Sequence, residues 1–269
     1  MGTIGFIGGG NMAEALIKGI TSAGLYSPGD IFVSDIRAER LKELDDRYKI
    51  NTTVNNAEVA EKADILILSV KPQNMVQALD SIKGTVKEDT LVISIAAGVK
   101  VKKVADTLGD AAIVRVMPNT PALVGEGASA LYPNEKAKPE LEKAQEIFSA
   151  VGRAMVVEDE ELMDAVTAVS GSGPAYYFFL MEQMIQAAGQ LGLSDELAKE
   201  LVLQTARGAA ILALEADKKG ESPAELRRKV TSPGGTTEAA LKVFSEGNLD
   251  AIMSMAIEKA CARSRELSA

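Results

Sequence analysis

Residues 4–16 read "IGFIGGGNMAEAL": a short apolar run, three glycines, then a helical pattern opening at Asn11. A β-rich run, a glycine turn and a helix in direct succession are the start of a βαβ unit, and here Gly8, Gly10 and Ala13 form G-x-G-x-x-A. Gly8 permits the tight turn, Gly10 lets a pyrophosphate come close to the backbone, and Ala13 lets the helix lie on the sheet. Helix N–H groups and the positive end of the helix dipole then face the phosphates. The turn therefore predicts a dinucleotide site.

The next β-rich run, Ile31 to Ser34, leads into Asp35-Ile36-Arg37. Asp35 lies about where an acidic side chain holds the adenosine 2'-hydroxyl of NAD. Arg37, with Arg40 nearby, offers instead charge-assisted bonds to the 2'-phosphate of NADP, which Asp35 would repel. Ser34, Asp35 and Arg37 are candidate cofactor residues, and the choice between NAD(H) and NADP(H) stays open. Further apolar runs at 3–7, 64–70, 90–95 and 112–117, with weaker ones at 50–54, 128–132 and 153–157, alternate with helical stretches, the pattern of parallel strands with crossover helices. Ligands bind such a sheet beyond the carboxyl ends of its strands. "SVKP" (69–72), "IAAGV" (95–99) and "MPNTP" (117–121) should therefore line the same crevice, with Lys71 and Asn119 presented toward it.

After Glu160 only helical periodicity is found, at 161–169, 174–191, 194–217, 223–230, 236–246 and 249–267. Ser222 to Glu225 is a capping box with Pro223 at the first helical position, and Gly192, Gly220 and Gly247 follow helix ends. The expected architecture is α/β: a Rossmann-type parallel-sheet domain over 1–159, then an all-helical domain over 160–269. The stretch "AYYFFLMEQMI" carries four of the chain's eleven Tyr and Phe residues on a helix apolar on nearly every side. Such a helix is covered within its own bundle or by a second copy, which makes the helical domain a dimerisation candidate.

Composition narrows the chemistry. A formal charge of -9 argues against nucleic acid and anionic membranes as partners. No apolar run reaches bilayer length and the first residues lack a signal pattern, so a cytoplasmic location is expected. The single cysteine, Cys261, excludes an internal disulfide and reads as a packing residue rather than a nucleophile. The absence of histidine removes the usual metal ligand sets and imidazole acid/base chemistry, so no metal is expected.

A second glycine turn, "SPGGTT" (232–237), precedes the helix that runs to Glu246. The N–H groups of Gly235, Thr236 and Thr237 are expected to be unpaired there, an anion site suited to a carboxylate, although an N-cap without a ligand explains the same residues. "SGSGP" (170–174) breaks the helices and either contacts that ligand or simply bends the chain.

In this order and at these spacings, "IGFIGGGNM", "VKPQ", "IAAGV", "RVMPNTPALVG", "SGSGPAY" and "SPGGTT" resemble pyrroline-5-carboxylate reductases over nearly the whole chain. The resemblance implies reduction of 1-pyrroline-5-carboxylate to L-proline with NAD(P)H, an intertwined homodimer formed by the helical domain, and further assembly into decamers. It implies cofactor contacts at Gly8, Gly10, Asn11, Met12, Asn56, Val70, Lys71, Pro72, Ala97 and Gly98. Substrate contacts fall on Ser232, Gly234, Gly235, Thr236 and Thr237, with the Thr237 hydroxyl toward the ring nitrogen. Asp35 stands where several members carry a small hydroxyl side chain. Two other readings are a hydroxy-acid dehydrogenase of the 3-hydroxyisobutyrate type, for whose catalytic lysine Lys229 is the nearest candidate, and a non-catalytic binding protein.

Overall fold

The computed structural model describes residues 2–268, the side chain of Ser268 excepted, so the outermost residues of the two expected domains, 1 and 269, lie outside the description. In chain order the elements are β1 (Ile4–Ile7), α1 (Asn11–Ser22), β2 (Ile31–Ser34), α2 (Ala38–Tyr48), β3 (Asn51–Thr53), α3 (Asn56–Lys62), β4 (Ile65–Leu68), α4 (Met75–Ile82), β5 (Leu91–Ser94), α5 (Val101–Leu108), β6 (Ala112–Met117), β7 (Gly127–Pro133), α6 (Leu141–Ser149) and β8 (Gly152–Val156). Helices α7 (Leu162–Val166), α8 (Gly173–Gln190), α9 (Asp195–Asp217), α10 (Pro223–Lys229), α11 (Thr236–Glu246) and α12 (Leu249–Ser268) follow.

The strands form one sheet in the order β3-β2-β1-β4-β5-β6-β7-β8. Its first strands, 3-2-1-4-5, follow the doubly wound Rossmann order, and the direction of winding reverses between β1 and β4. The central strands β1, β4 and β5 are mostly apolar and buried along their length because both faces are covered. Ile4, Phe6, Ile65, Ile67, Leu91, Ile93, Val114 and Val116 join one core with α1 and α6. Their alternating neighbours Ile7, Leu66, Leu68, Val92 and Ile113 join a second core with α3, α4 and α5. Each fully buried Ile or Leu side chain contributes roughly 1.5–3 kcal/mol.

Two strands, β7 and β8, depart from the expected parallel pattern. β6 pairs antiparallel with β7, while β7 and β8 are parallel. Only a short 3-10 turn, Thr120–Val124, lies between β6 and β7, and a parallel return would need a crossover of a dozen residues or so.

By internal contacts the chain forms two units, Met1–Pro174 with Lys259–Ala269, and Ala175–Glu258. The sequence places the boundary at 159/160 instead. Contacts within the first unit explain the difference. Met163, Asp164 and Ala168 are buried, and Ser264 Oγ on the last turns of α12 donates to Asp164 Oδ1 at 2.6 Å. Glu160 Oε1 accepts from the Val101 N–H at 2.8 Å and from Arg115 Nη1 at 3.0 Å, which fastens the segment ahead of α7 to the sheet.

Between α7 and α8 the helix widens into a π turn over Thr167–Gly171 where a plain helix to Val169 is expected. Asn119 Nδ2 donates to the Ser170 carbonyl at 3.3 Å, and Asn119 Oδ1 accepts from the Ala128 N–H at 2.9 Å. Asn119 thus ties the "MPNTP" loop to the π turn and β7. In the second unit, Tyr177, Phe178 and Phe179 on α8 are each more than half exposed. The capping box forms, with Ser222 N donating to Glu225 Oε2 at 2.7 Å and Glu225 N to Ser222 Oγ at 3.3 Å.

Candidate functional site

The reversal of winding between β1 and β4 opens a crevice at the carboxyl ends of the strands, and a groove of about 380 Å³ lies there. Gly8, Gly10, Ser34, Asp35, Arg37, Asn56, Val70 and Lys71 all line it, so eight of the expected cofactor residues meet in one place. Asn11 and Met12 form the first turn of α1 beside it. Pro72 starts the 3-10 turn after Lys71, and Gly98 sits in the turn after Ala97 with φ +74. Ala97, Gly98 and Pro72 do not line this groove. A Cβ on Gly98 would lie 3.2 Å from the Leu267 carbonyl, so that turn is packed against the end of α12.

The glycine turn is fixed from behind. The Gly8 N–H donates to the Ser34 carbonyl at 2.7 Å, and the Gly8 carbonyl accepts from Ser69 Oγ at 2.6 Å. The Gly9 N–H donates to Asp35 Oδ2 at 2.9 Å, and the Gly9 carbonyl accepts from Arg40 Nε at 2.6 Å. Gly8 has φ +101, and a Cβ there would lie 3.0 Å from the Ser69 carbonyl oxygen, so glycine is required. A Cβ on Gly10 would meet no atom within 4 Å, which leaves open space at the N-terminus of α1. Open space, aimed helix amides and a carboxylate at the end of β2 fit a dinucleotide.

Asp35 also accepts from the Arg37 N–H at 2.9 Å and from Arg37 Nε at 3.0 Å. Burial alone would raise its carboxyl pKa, but the bonds from Arg37 and Gly9 outweigh burial and hold it below the usual range. The Asp35 side chain is only 9% exposed, whereas that of Arg37 is 60% exposed and is held to Asp35 through Nε and Nη2. Ser34 Oγ donates to Asn56 Oδ1 at 2.7 Å, and Asn56 Nδ2 donates to Ser81 Oγ at 2.9 Å, which sets the far wall.

Sequence reasoning offered Arg40 as a second reader of a 2'-phosphate. The structure directs Arg40 elsewhere, because its Nε, Nη2 and Nη1 donate to Gly9, Glu14 and Glu43 and it does not line the groove. Sequence reasoning also passed over Ile36, which lines the groove at 89% exposure. In the sequence the signal was an apolar residue set between Asp35 and Arg37, just past the apolar run.

The second glycine turn lies in the other unit. Gly234 has φ +72, and α11 begins at Thr236 with Gly235 as its N-cap. The Gly235 N–H, expected to be unpaired, donates to the Ser232 carbonyl at 3.0 Å and closes the turn. The Gly234 N–H donates to Glu238 Oε2 at 2.8 Å. Among the described residues the N–H groups of Thr236 and Thr237 have no partner, which leaves them as the candidate anion donors. Lys229, the nearest candidate for a catalytic lysine, is ion-paired with Glu221.

No helix among the described residues is long and apolar enough to cross a membrane, and no three His, Cys, Asp or Glu side chains among them gather to hold a metal ion.

Residues 160–267 match the family profile described as pyrroline-5-carboxylate reductase dimerisation, and residues 3–98 match that of NADP oxidoreductase, coenzyme F420-dependent. A pyrroline-5-carboxylate reductase of Pseudomonas aeruginosa is 46% identical over 98% of this chain and 96% of that protein. The solved structure of such a reductase from Coxiella burnetii superposes with a TM-score of 0.93 at 41% identity, over 100% of this chain and 99% of that one. A Plasmodium falciparum pyrroline carboxylate reductase with NADP bound superposes with a TM-score of 0.88 at 32% identity, over 99% and 98%.

Proposed function

The chain belongs to the pyrroline-5-carboxylate reductase family, and we propose which of its residues carry that family's reaction. It is an NAD(P)H-dependent oxidoreductase that reduces 1-pyrroline-5-carboxylate to L-proline, the final step of proline biosynthesis. The family profile over 160–267 makes it an oligomer.

The roles follow from what each residue can offer. Gly8 and Gly10 admit the cofactor pyrophosphate to the amides that open α1, including those of Asn11 and Met12. Asp35 accepts from the adenosine ribose hydroxyls, Ile36 covers the flat face of the base, and Ser34 and Asn56 form the wall beside it. Val70, Lys71, Pro72, Ala97 and Gly98 hold the remainder of the cofactor, with the Lys71 ammonium available to phosphate. NAD(P)H, when bound, supplies a hydride.

The substrate is held by its carboxylate on the amides of Thr236 and Thr237. Gly234 and Gly235 serve through the close approach they permit, and Ser232 closes the turn. The Thr237 hydroxyl bonds the ring nitrogen. A cyclic imine protonated in solution is already electrophilic at its imine carbon, C2 of the pyrroline and C5 of the proline formed, so the protein needs no strong acid, in keeping with a chain without histidine. Catalysis is then chiefly orientation, which for well-placed reactants contributes on the order of 7 to 11 kcal/mol.

The observation that carries this reading is the pair of helix N-termini, α1 and α11, each opened by glycines and each presenting amides without partners among the described residues. We place the enzyme in the cytoplasm as a homodimer through the domain from residue 160 onward, with decamers as the higher assembly; the exposed aromatic face of α8 supports the dimer. Loss of nicotinamide absorbance at 340 nm is expected on adding pyrroline-5-carboxylate, with NADH and NADPH run in parallel. Oxidation of neither would overturn the assignment.

A further inference from the structure

A turn of three consecutive glycines has no side chains with which to set the orientation of its own peptides. The Gly9–Gly10 peptide matters most, because it leads directly into the helix amides. With its carbonyl turned one way, the Gly10 N–H points the other way across the planar trans unit. A flip would put a carbonyl oxygen where phosphate oxygens must come.

Arg40, on the first turn of α2, fixes that choice from outside. Its Nε donates to the Gly9 carbonyl at 2.6 Å, while its side chain is only 13% exposed. A guanidinium so covered needs its charge met. Glu14, on the first turn of α1, meets it through Arg40 Nη2 at 2.5 Å, and Glu43 takes Nη1 at 3.1 Å. Glu14 is in turn held by Arg47 Nη1 and by the Tyr48 hydroxyl at 3.0 Å. Two helices therefore brace one guanidinium against one peptide.

We infer that Arg40 is a positioning residue for the phosphate-binding turn, needed equally for NADH and NADPH, and not a reader of the 2'-phosphate. The inference rests on the groove being the cofactor site but not on the identity of the imine. The test is therefore a binding titration without substrate. The protein has no tryptophan, so the emission of the reduced nicotinamide can be followed directly for both cofactors.

Arg40→Ala should raise both dissociation constants by about tenfold, the scale of one lost charge-assisted bond. Their ratio should stay within about twofold, and turnover at saturating cofactor should change less than cofactor KM. Arg40→Lys keeps the charge but lacks the fork that reaches Gly9 and Glu14 together, so its dissociation constants should fall between wild type and Ala. It is also the variant to read should Ala fail to fold. A loss confined to NADPH would make Arg40 a 2'-phosphate reader, and unchanged constants in a cooperatively melting variant would make the brace merely structural. Either result overturns the inference. Failure of the wild type to bind either nucleotide would overturn the cofactor assignment itself, whereas tight binding without imine reduction would count only against the proposed substrate roles.

Discussion

Asp35→Ser should turn the chain toward NADPH, and the size of the shift follows from the geometry. The Asp35 carboxylate is 9% exposed and keeps its charge, since the bonds from Arg37 and Gly9 outweigh its burial. A phosphate on the ribose beside it would lie at about 5 Å. One pair of unit charges at that distance costs roughly 0.8 kcal/mol with the dielectric of water and roughly 3 kcal/mol at an effective dielectric near 20. Removing Asp35 abolishes that cost and releases Arg37 to face the phosphate. NADH meanwhile loses a ribose bond to a charged acceptor, about 1.5 kcal/mol. Together these give about 2–5 kcal/mol, so the ratio of kcat/KM for NADPH to that for NADH should rise by roughly thirtyfold or more. The substitution also strands the Gly9 N–H that Asp35 accepts at 2.9 Å. That defect weakens both cofactors alike and cancels in the ratio. Asp35→Asn keeps an acceptor for Gly9 while dropping the charge, so it should recover most of the shift with less loss of affinity. A ratio changed by less than about threefold in both variants would refute Asp35 as the determinant.

Thr237→Ala should lower kcat by about tenfold or more while leaving the dissociation constant of NADH unchanged, measured by steady-state rates beside a binding titration. An unaltered kcat would remove its role at the ring nitrogen. Gly8→Ala places a Cβ 3.0 Å from the Ser69 carbonyl at φ +101, so urea unfolding should show a loss of roughly 1–3 kcal/mol together with weaker binding of both cofactors. For Glu14, burial raises the carboxyl pKa but the bonds and charges of Arg40, Tyr48 and Arg47 lower it further, to a net value below the ordinary one. A depressed folded-state pKa contributes stability that is present above the ordinary carboxylate range, about 4, and lost as pH falls through the folded value. The stability gap between wild type and Glu14→Gln should therefore be widest near neutrality and close in acid; a gap that held constant to pH 3 would contradict the pairing.

Much of this architecture was legible because both covered faces of the sheet demand uninterrupted apolar strands. Ile31–Ser34 and Ala112–Met117 appear as expected, and so does α11 at Thr236–Glu246. Strand direction was not legible in β7, since hydrophobic runs carry no sense of direction and the deciding feature is the brevity of the 3-10 turn before it. The π turn after α7 was hidden for a related reason. One inserted residue hardly disturbs a helical pattern, and the widening is visible only as the Ser172 N–H reaching back to the Thr167 carbonyl at 2.8 Å. The last loop shows a different displacement. Gly247 follows the helix end as expected, with φ -80, and it is the next residue, Asn248, that adopts the left-handed conformation at φ +53. Asparagine tolerates it better than most residues with a side chain. Within the site, charges near the glycine turn were evident, but which of Arg37 and Arg40 faced the groove depended on the packing of α1 against α2.

The two glycine turns differ in how they are held, and the difference matches what each must bind. In the first, all four polar groups of Gly8 and Gly9 are tied to Ser34, Ser69, Asp35 and Arg40, drawn from β2, the loop after β4, and α2. A pyrophosphate is large and charged, and a turn already locked in shape loses little freedom on receiving it. The second turn is held locally by Ser232 and by Glu238, one turn into its own helix. The Glu238 carboxylate on the Gly234 N–H shows that this turn accommodates a carboxylate at its rim while the amides of Thr236 and Thr237 stay available. A small amino-acid carboxylate needs no more than those two amides. Its orientation would then come from a second contact at the ring nitrogen, next to the carbon that bears the carboxylate, and in the proposed site the Thr237 hydroxyl, attached to one of the same two residues, would supply that contact without a further element.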